Sequence, residues 1–283
     1  MTIIDGKKVS TAVKENVKKE VEQLKAKGVT PGLAVILVGD DPASRVYVNN
    51  KKKACEFVGF KSEEFALPAD TTQDELLKLV DELNNRKDIN GILCQLPLPK
   101  GLDENAVIEA ISPMKDVDAF HEQNVGRIMI GDYDFLPCTP AGIMEMLHDY
   151  DINVDGKNCV VIGRSNIVGK PMAMLLLHEN ATVTICHSHT KKLKEIASGA
   201  DVLVAAVGKA KFVTEDMVKE NAVVIDVGMN RDENGKLCGD VDFENVKDKC
   251  SFITPVPGGV GPMTIATLMK NTLKAAKLQN GID

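Results

Sequence analysis

The chain has 283 residues, 44% of them hydrophobic and 27% charged, with a formal net charge of −7. That balance fits one large or two modest globular domains and excludes a disordered or fibrous chain. The acidity argues against nonspecific nucleic-acid binding, and no segment approaches the ~18 apolar residues of a membrane helix. Aromatic residues are only 4% and Trp is absent, so the cores must be aliphatic. The seven cysteines are scattered without a CxxC pair, which fits a reducing compartment and argues against a zinc ribbon. The start, "MTIIDGKKVS", has no long apolar run and does not read as a signal peptide, so a soluble cytoplasmic protein is expected.

Val9, Val13, Val17, Val21 and Leu24 recur at helical spacing, which predicts a helix over 7–27 stopped at Gly28. "GLAVILVGD" has strand length. Ser44 is a candidate cap for the next helix, which should end near Gly59. "FKSEEFAL" reads as a strand and "TTQDELLKLVDELN" as a helix with Thr72 and Glu75 spaced as a capping box. "GILCQLP" is a short apolar strand. At "PCTPAG", Thr139 can cap and Pro140 can open a linking helix. Beyond it, "KNCVVIG", "ATVTICH", "ADVLVAAVG" and "AVVIDVG" read as strands, and "KPMAMLLLHE" as a helix with Pro171 near its start. The last helix follows "PVPGGVGP" and carries Ile265, Leu268, Met269, Thr272 and Leu273. Two series of alternating strands and helices predict α/β architecture in two domains.

"VVIGRSNIVGKP" runs an apolar strand into Gly163, a polar loop, Gly169 and a helix. Such a loop aims backbone N–H groups at an anion, although Ser165 stands where the second glycine of GxGxxG would be. An ordinary strand-to-helix turn is the competing reading, and the βαβ context through residue 187 favours nucleotide binding. An NAD site usually carries an acid about 20 residues on. Here that region reads "TICHSHTKKLK" and offers Ser188, with Lys191 and Lys192 nearby and Arg164 in the loop. A carboxylate would repel a 2′-phosphate and Arg would bind it, so NADP is predicted. His187 and His189 lack an acidic partner in the motif, and no metal is expected.

In "YVNNKKKAC", Tyr47 and Lys51 fall on one helical face, with Lys52 and Lys53 pointing elsewhere. Burial and neighbouring ammonium groups would lower the pKa of Lys51 and suit it to carry protons near neutrality. The competing reading is a solvated lysine face. A short-chain dehydrogenase is argued against by order, because YxxxK precedes the glycine loop here.

Together with "GILCQLPLP", "KDVDAFH", "NVGR", "PCTPAG", "ATVTICHSHT" and "ITPVPGGVGPMT", these motifs make the chain resemble the bifunctional methylenetetrahydrofolate dehydrogenase–cyclohydrolases of one-carbon metabolism, over nearly its whole length. The resemblance implies a folate-binding catalytic domain at 1–139, completed by a C-terminal helix at 263–283. It implies a Rossmann-like NADP-binding domain at 140–262, a folate/NADP cleft between the two, and a homodimer formed through the second. It implies hydride transfer from methylenetetrahydrofolate to NADP, then hydrolysis of the methenyl product to formyltetrahydrofolate, which serves purine biosynthesis. Partners would be tetrahydrofolate derivatives, polyglutamylated or not, and neither nucleic acid nor membrane.

By the same resemblance Lys51 is the proton shuttle, Gln95 holds it, Tyr47 positions the folate and Asp118 grips the pterin edge. Asp116 is assigned to structure. Pro257, Gly258, Gly259 and Gly261 would line the substrate site. Gly163, Arg164, Ser165, Ile167, Gly169, Ser188 and Met229 would bind the cofactor. "LPLP" and "PVPGG" raise the chance of a cis X–Pro bond. Ala119 stands where a glycine is often expected, which makes a positive φ less favoured there. Glu122 and Gln123 follow "FH" where a proline is often found. The competing functions are a monofunctional dehydrogenase, an NADP-dependent dehydrogenase of shikimate-like substrates and a non-catalytic nucleotide-sensing module.

Overall fold

The computed structural model describes residues 1–282, the side chain of Ala43 excepted. In chain order the elements are β1 (Thr2–Ile3), α1 (Gly6–Ala26), β2 (Gly32–Val38), α2 (Pro42–Val58), β3 (Lys61–Leu67), α3 (Gln73–Asn85), β4 (Gly91–Cys94), α4 (Glu104–Ala110) and α5 (Glu122–Ile130). There follow α6 (Cys138–Asp149), β5 (Asn158–Ile162), α7 (Gly169–His178), β6 (Thr182–Cys186), α8 (Leu193–Ala197), β7 (Val202–Ala205) and β8 (Ala222–Asp226). The chain ends with β9 (Asn230–Arg231), β10 (Leu237–Cys238), α9 (Phe243–Val246), β11 (Cys250–Ile253) and α10 (Val260–Gln279). It divides into two compact units: Thr11–Cys138 with the chain from Ile265 onward, and Met1–Ser10 with Thr139–Thr264.

In the first unit a parallel sheet runs β3-β2-β4. Strand β2 is buried along its whole length, as its unbroken apolar run demands of a central parallel strand. Its alternate residues supply two cores. Leu33, Val35 and Leu37 pack with Val17, Val21 and Leu24 of α1, Val48 and Val58 of α2, and Leu268 and Leu273 of α10. Ala34, Ile36 and Val38 pack with Leu76, Val80 and Leu83 of α3 and Val107 of α4. Each fully buried Leu, Ile or Val contributes ~1.5–3 kcal/mol of transfer free energy. The capping box of α3 forms in both directions: Glu75 N–H donates to Thr72 Oγ1 at 3.3 Å, and Thr72 N–H to Glu75 Oε2 at 2.9 Å.

The second unit carries a six-stranded sheet in the order β1-β11-β8-β7-β5-β6, with every paired neighbour parallel. Beside it β9 and β10 make a short antiparallel ribbon. The chain leaves β5 for β6 on one side, and β7 lies on the other. That reversal is the topological switch point at which open α/β sheets bind ligands.

Several local expectations are corrected. The first ten residues fall in the six-stranded unit and not with the domain expected over 1–139. Thr2 and Ile3 pair with Phe252 and Ile253 at the sheet edge, and Ile4 N–H donates to Ile253 O at 2.9 Å. Helix α2 is capped by Asp41, not Ser44. The Asp41 carboxylate accepts from Ser44 N–H at 2.7 Å, and Pro42, which needs no N–H partner, opens the helix. Helix α6 begins at Cys138, one residue before Thr139, whose hydroxyl instead bonds that of Thr264 at 3.0 Å. Ala119 adopts φ 58° despite its methyl group, because it is fully buried in the core and its N–H closes a turn onto Asp116 O at 3.1 Å. One X–Pro bond in each of the two stretches noted in the sequence is cis: Leu96–Pro97 in "LPLP" and Val256–Pro257 in "PVPGG".

Candidate functional site

Lys51 lies on α2 one turn after Tyr47. The three-lysine run splits: Lys51 is buried at 8% exposure, while Lys52 and Lys53 face solvent. Lys51 Nζ donates to Gln95 Oε1 at 2.8 Å. Gln95 follows β4 directly, and its backbone N–H continues the ladder to Ile36 O at 2.9 Å. Its Nε2 donates to Leu96 O at 2.8 Å, so the amide is oriented with its oxygen toward the lysine. The glutamine is a neutral acceptor, which holds the ammonium without trapping its proton.

Burial lowers the pKa of Lys51, opposed chiefly by the charge of Asp118. Burial raises the Asp118 carboxyl, opposed by the Lys51 ammonium and a bond with the Cys138 thiol. Low dielectric thus pushes both partners toward their neutral forms. Burial also raises the nearby thiols of Cys55 and Cys94 to about 12 and that of Cys138 well above its ordinary value, so none is a nucleophile at neutral pH. Tyr47 is half-buried, and burial raises its hydroxyl.

The loop bearing Asp118 is fixed from below. Asp116 accepts from His121 N–H at 2.8 Å and Asn124 Nδ2 at 2.9 Å, a scaffolding role. Asn271 of α10 donates to both Val117 O and Leu136 O at 2.8 Å, tying together the backbone on either side of the site. Sequence reasoning missed Asn271 and Cys138. A polar residue turning inward beside the apolar stripe of α10 was the available signal for the first.

In the other unit, Gly163 follows β5 with φ 137°, a conformation that favours glycine. A Cβ there would lie 2.3 Å from Ala206 O, and one at Gly169 would lie 2.3 Å from Gly163 O. Ser165 Oγ accepts from Val168 N–H at 3.2 Å and Gly169 N–H at 3.3 Å, so it caps the entry to α7 and keeps its own hydroxyl proton to donate. Arg164 and Ile167 are exposed on the loop. After β6, His187 N–H donates to Thr190 Oγ1 at 2.8 Å and Thr190 N–H returns to His187 O at 2.8 Å, which leaves Ser188 exposed at the turn. Lys192 is partly diverted to Glu195, at 3.1 Å. Bare backbone beside a helix start, an arginine and a carboxylate-free turn after β6 fit a dinucleotide carrying a 2′-phosphate.

The structure brings Met229 to Gly261, where an added Cβ would sit 3.3 Å from Met229 Cε. Gly258 has φ 108°, and Pro257 follows the cis bond, so this glycine turn leads directly into α10. The sequence-predicted residues therefore form two groups, one in each unit. Tyr47, Lys51, Gln95 and Asp118 make the first, and the glycine loop, the β6 turn, Met229 and the 257–261 turn supply the second.

Residues 4–118 match the family model for the tetrahydrofolate dehydrogenase/cyclohydrolase catalytic domain, and residues 137–280 match that for its NAD(P)-binding domain. The chain is similar to the bifunctional protein FolD of Agathobacter rectalis, at 61% identity over 275 residues, which covers 97% of this chain and 99% of that one. It is also similar to the crystal structure of the bifunctional FolD of Campylobacter jejuni, with a TM-score of 0.96 and 51% identity, over 98% of this chain and 99% of that one. The Trypanosoma brucei N5,N10-methylenetetrahydrofolate dehydrogenase-cyclohydrolase, solved with NADP cofactor and an inhibitor, matches with a TM-score of 0.94 and 39% identity over 98% of each chain.

Proposed function

The chain belongs to the tetrahydrofolate dehydrogenase/cyclohydrolase family, and from that premise we propose that it oxidises methylenetetrahydrofolate to the methenyl form and hydrolyses this to formyltetrahydrofolate, with Lys51 as the proton shuttle. Bound NADP supplies the hydride acceptor, held by Gly163, Arg164, Ser165, Ile167, Gly169, Ser188 and Met229. The absence of an acid in the turn after β6 supports NADP over NAD.

One observation carries the assignment of the hydrolytic step: a buried lysine whose Nζ lies 2.8 Å from a neutral amide oxygen, with a carboxyl facing it. Neutral Lys51 takes a proton from water as the oxygen bonds to the methenyl carbon. The resulting ammonium returns that proton to the folate nitrogen as the carbon–nitrogen bond of the neutral carbinolamine opens, and the carbinol O–H proton leaves to solvent as C=O forms, so the methenyl cation and water give neutral formyl product and one proton. Gln95 keeps Nζ in place in both states. Asp118 accepts from the amino and ring N–H groups of the pterin, and Tyr47 packs against it. Pro257, Gly258, Gly259 and Gly261 offer backbone to a flat ring.

A spectroscopic assay with methylenetetrahydrofolate and NADP tests the reading. Lys51→Met should lower methenyl hydrolysis by about 10²–10⁴-fold and leave the NADP dissociation constant unchanged. Hydrolysis at the wild-type rate would end the assignment of the shuttle.

The folate-binding domain is taken as 1–139 with 263–283, less the first ten residues, and the NADP-binding domain as 140–262. A homodimer through the latter is supported by β6, which is the edge strand of its sheet among the described residues, and by Leu177, exposed on α7. Light scattering would decide it. A cytoplasmic location fits seven free cysteines, which a reducing compartment keeps as thiols.

A further inference from the structure

The loop after β7 is held by a carboxylate from a distant part of the chain. Asp240 Oδ2 accepts from Val207 N–H at 2.6 Å and Gly208 N–H at 3.0 Å, and Oδ1 from Lys209 N–H at 2.9 Å. Asn230 Nδ2 donates a fourth bond to Oδ1, at 2.9 Å. Asp240 is fully buried, and its charge is met by these N–H groups. A second buried carboxylate fixes the first. Asp226 accepts from the backbone N–H of Asp240 at 2.8 Å, of Val241 at 2.9 Å and of Gly228 at 2.9 Å. The fit is close enough to require glycines. A Cβ on Gly239 would lie 1.8 Å from Asp226 Oδ2, and one on Gly228 would lie 2.3 Å from Asp240 Oδ1.

Three successive N–H groups converging on one point form an anion-binding nest. Here the nest is filled by the protein itself, so it is closed to a cofactor phosphate and serves to set the shape of the loop. The position of that loop gives the shape a use. β7 borders β5 at the switch point, and Ala206 lies against Gly163 of the glycine loop. In a doubly wound sheet the βαβ half that starts at the glycine loop takes the adenosine side of a dinucleotide, and the half across the switch takes the other nucleotide.

We propose that Asp240 is a positioning residue for the nicotinamide half of the cofactor, acting through the Val207–Lys209 loop that its carboxylate holds. The proposal rests on the cofactor reading above. Asp240→Asn keeps the size of the side chain but turns an amide N–H₂ toward backbone donors. Wild-type and variant full-length chains are titrated calorimetrically with NADP and with 2′,5′-ADP, which lacks the nicotinamide half. Amide exchange at 207–209 is followed in both.

The expected result is an NADP affinity lower by about ten-fold or more, with 2′,5′-ADP affinity within about twofold of wild type. Exchange at 207–209 should be faster, and KM for NADP should rise more than kcat falls. Equal loss for both ligands, loss for neither, or loss for 2′,5′-ADP alone overturns the proposal. If Asp240→Asn does not fold, Asn230→Ala decides the matter. It removes one of the four bonds and should show the same selective loss at about two- to five-fold, and an unchanged NADP affinity there overturns the proposal too. Failure of the wild-type chain to bind NADP would instead overturn the cofactor reading.

Discussion

At the scale of single residues, the proton chemistry turns on what faces Lys51. A neutral amide at 2.8 Å leaves burial as the dominant influence, and burial favours the free amine. Gln95→Glu would set a carboxylate at that distance and favour the ammonium, raising the pKa of Lys51. A larger share of the enzyme would then be protonated at neutrality, so the pH–rate profile of methenyl hydrolysis should move to higher pH by about 1–3 units. A profile with an unmoved midpoint would show that Gln95 does not govern the lysine. The Tyr47–Lys51 pair was legible because helical spacing is a local property. Ala119 was not. The rule that glycine takes positive φ is local too, but at this position a buried tertiary setting overrides it and holds an alanine at φ 58°.

At the scale of elements, Lys115 links a helix end to the site. It is buried, and at the end of α3 its Nζ donates to Arg86 O at 2.6 Å and to Leu83 O at 3.0 Å, where Leu83 O also accepts from the C-cap Arg86 N–H at 3.3 Å. Its own carbonyl accepts from Ile92 N–H at 2.8 Å, which joins the segment carrying Asp116 and Asp118 to β4. Lys115→Met preserves the aliphatic stem but removes the ammonium donor from both carbonyls, leaving Leu83 O only the long bond from Arg86 N–H. It should cost about 2–3 kcal/mol of unfolding free energy, measured by chemical denaturation, and a loss under about 0.5 kcal/mol would mean that water replaces the ammonium. Neither this tie nor the Asp240 lock could be read from sequence, since each joins groups that the chain separates by roughly thirty residues. What could be read was periodic or adjacent: the α1 stripe, the apolar run of β2 and the capping box of α3. The two-residue strand β1 escaped for the same reason as the lock, because its strand partner lies 250 residues away, Thr2 pairing with Phe252.

At the scale of the whole molecule, two sets of carboxylates set opposite dependences on pH. Glu63, Asp88 and Asp201 are held below their ordinary values by basic partners, so they favour the folded state at higher pH and lose that contribution as acid protonates them. These pairs are partly exposed, and each is worth little. Asp116 and Asp226, one in each unit, are buried, and burial raises both from 3.8 to about 6. A folded state that binds a proton more tightly than the unfolded chain gains from that proton. Their contribution is therefore fully present below 3.8 and is lost as pH rises through about 6. A shift of that size corresponds to about 3 kcal/mol for each group, which outweighs the surface pairs. Asp116→Asn removes one such group, because an amide does not titrate. Whatever stability the altered bonds cost the variant at every pH, the difference from wild type should move in its favour by up to about 3 kcal/mol between pH 4 and pH 7. Denaturant unfolding of both proteins across that range measures it. Parallel stability curves would mean that Asp116 keeps an ordinary carboxylate pKa in the folded chain, and that its two N–H donors, from His121 and Asn124, fully offset its burial.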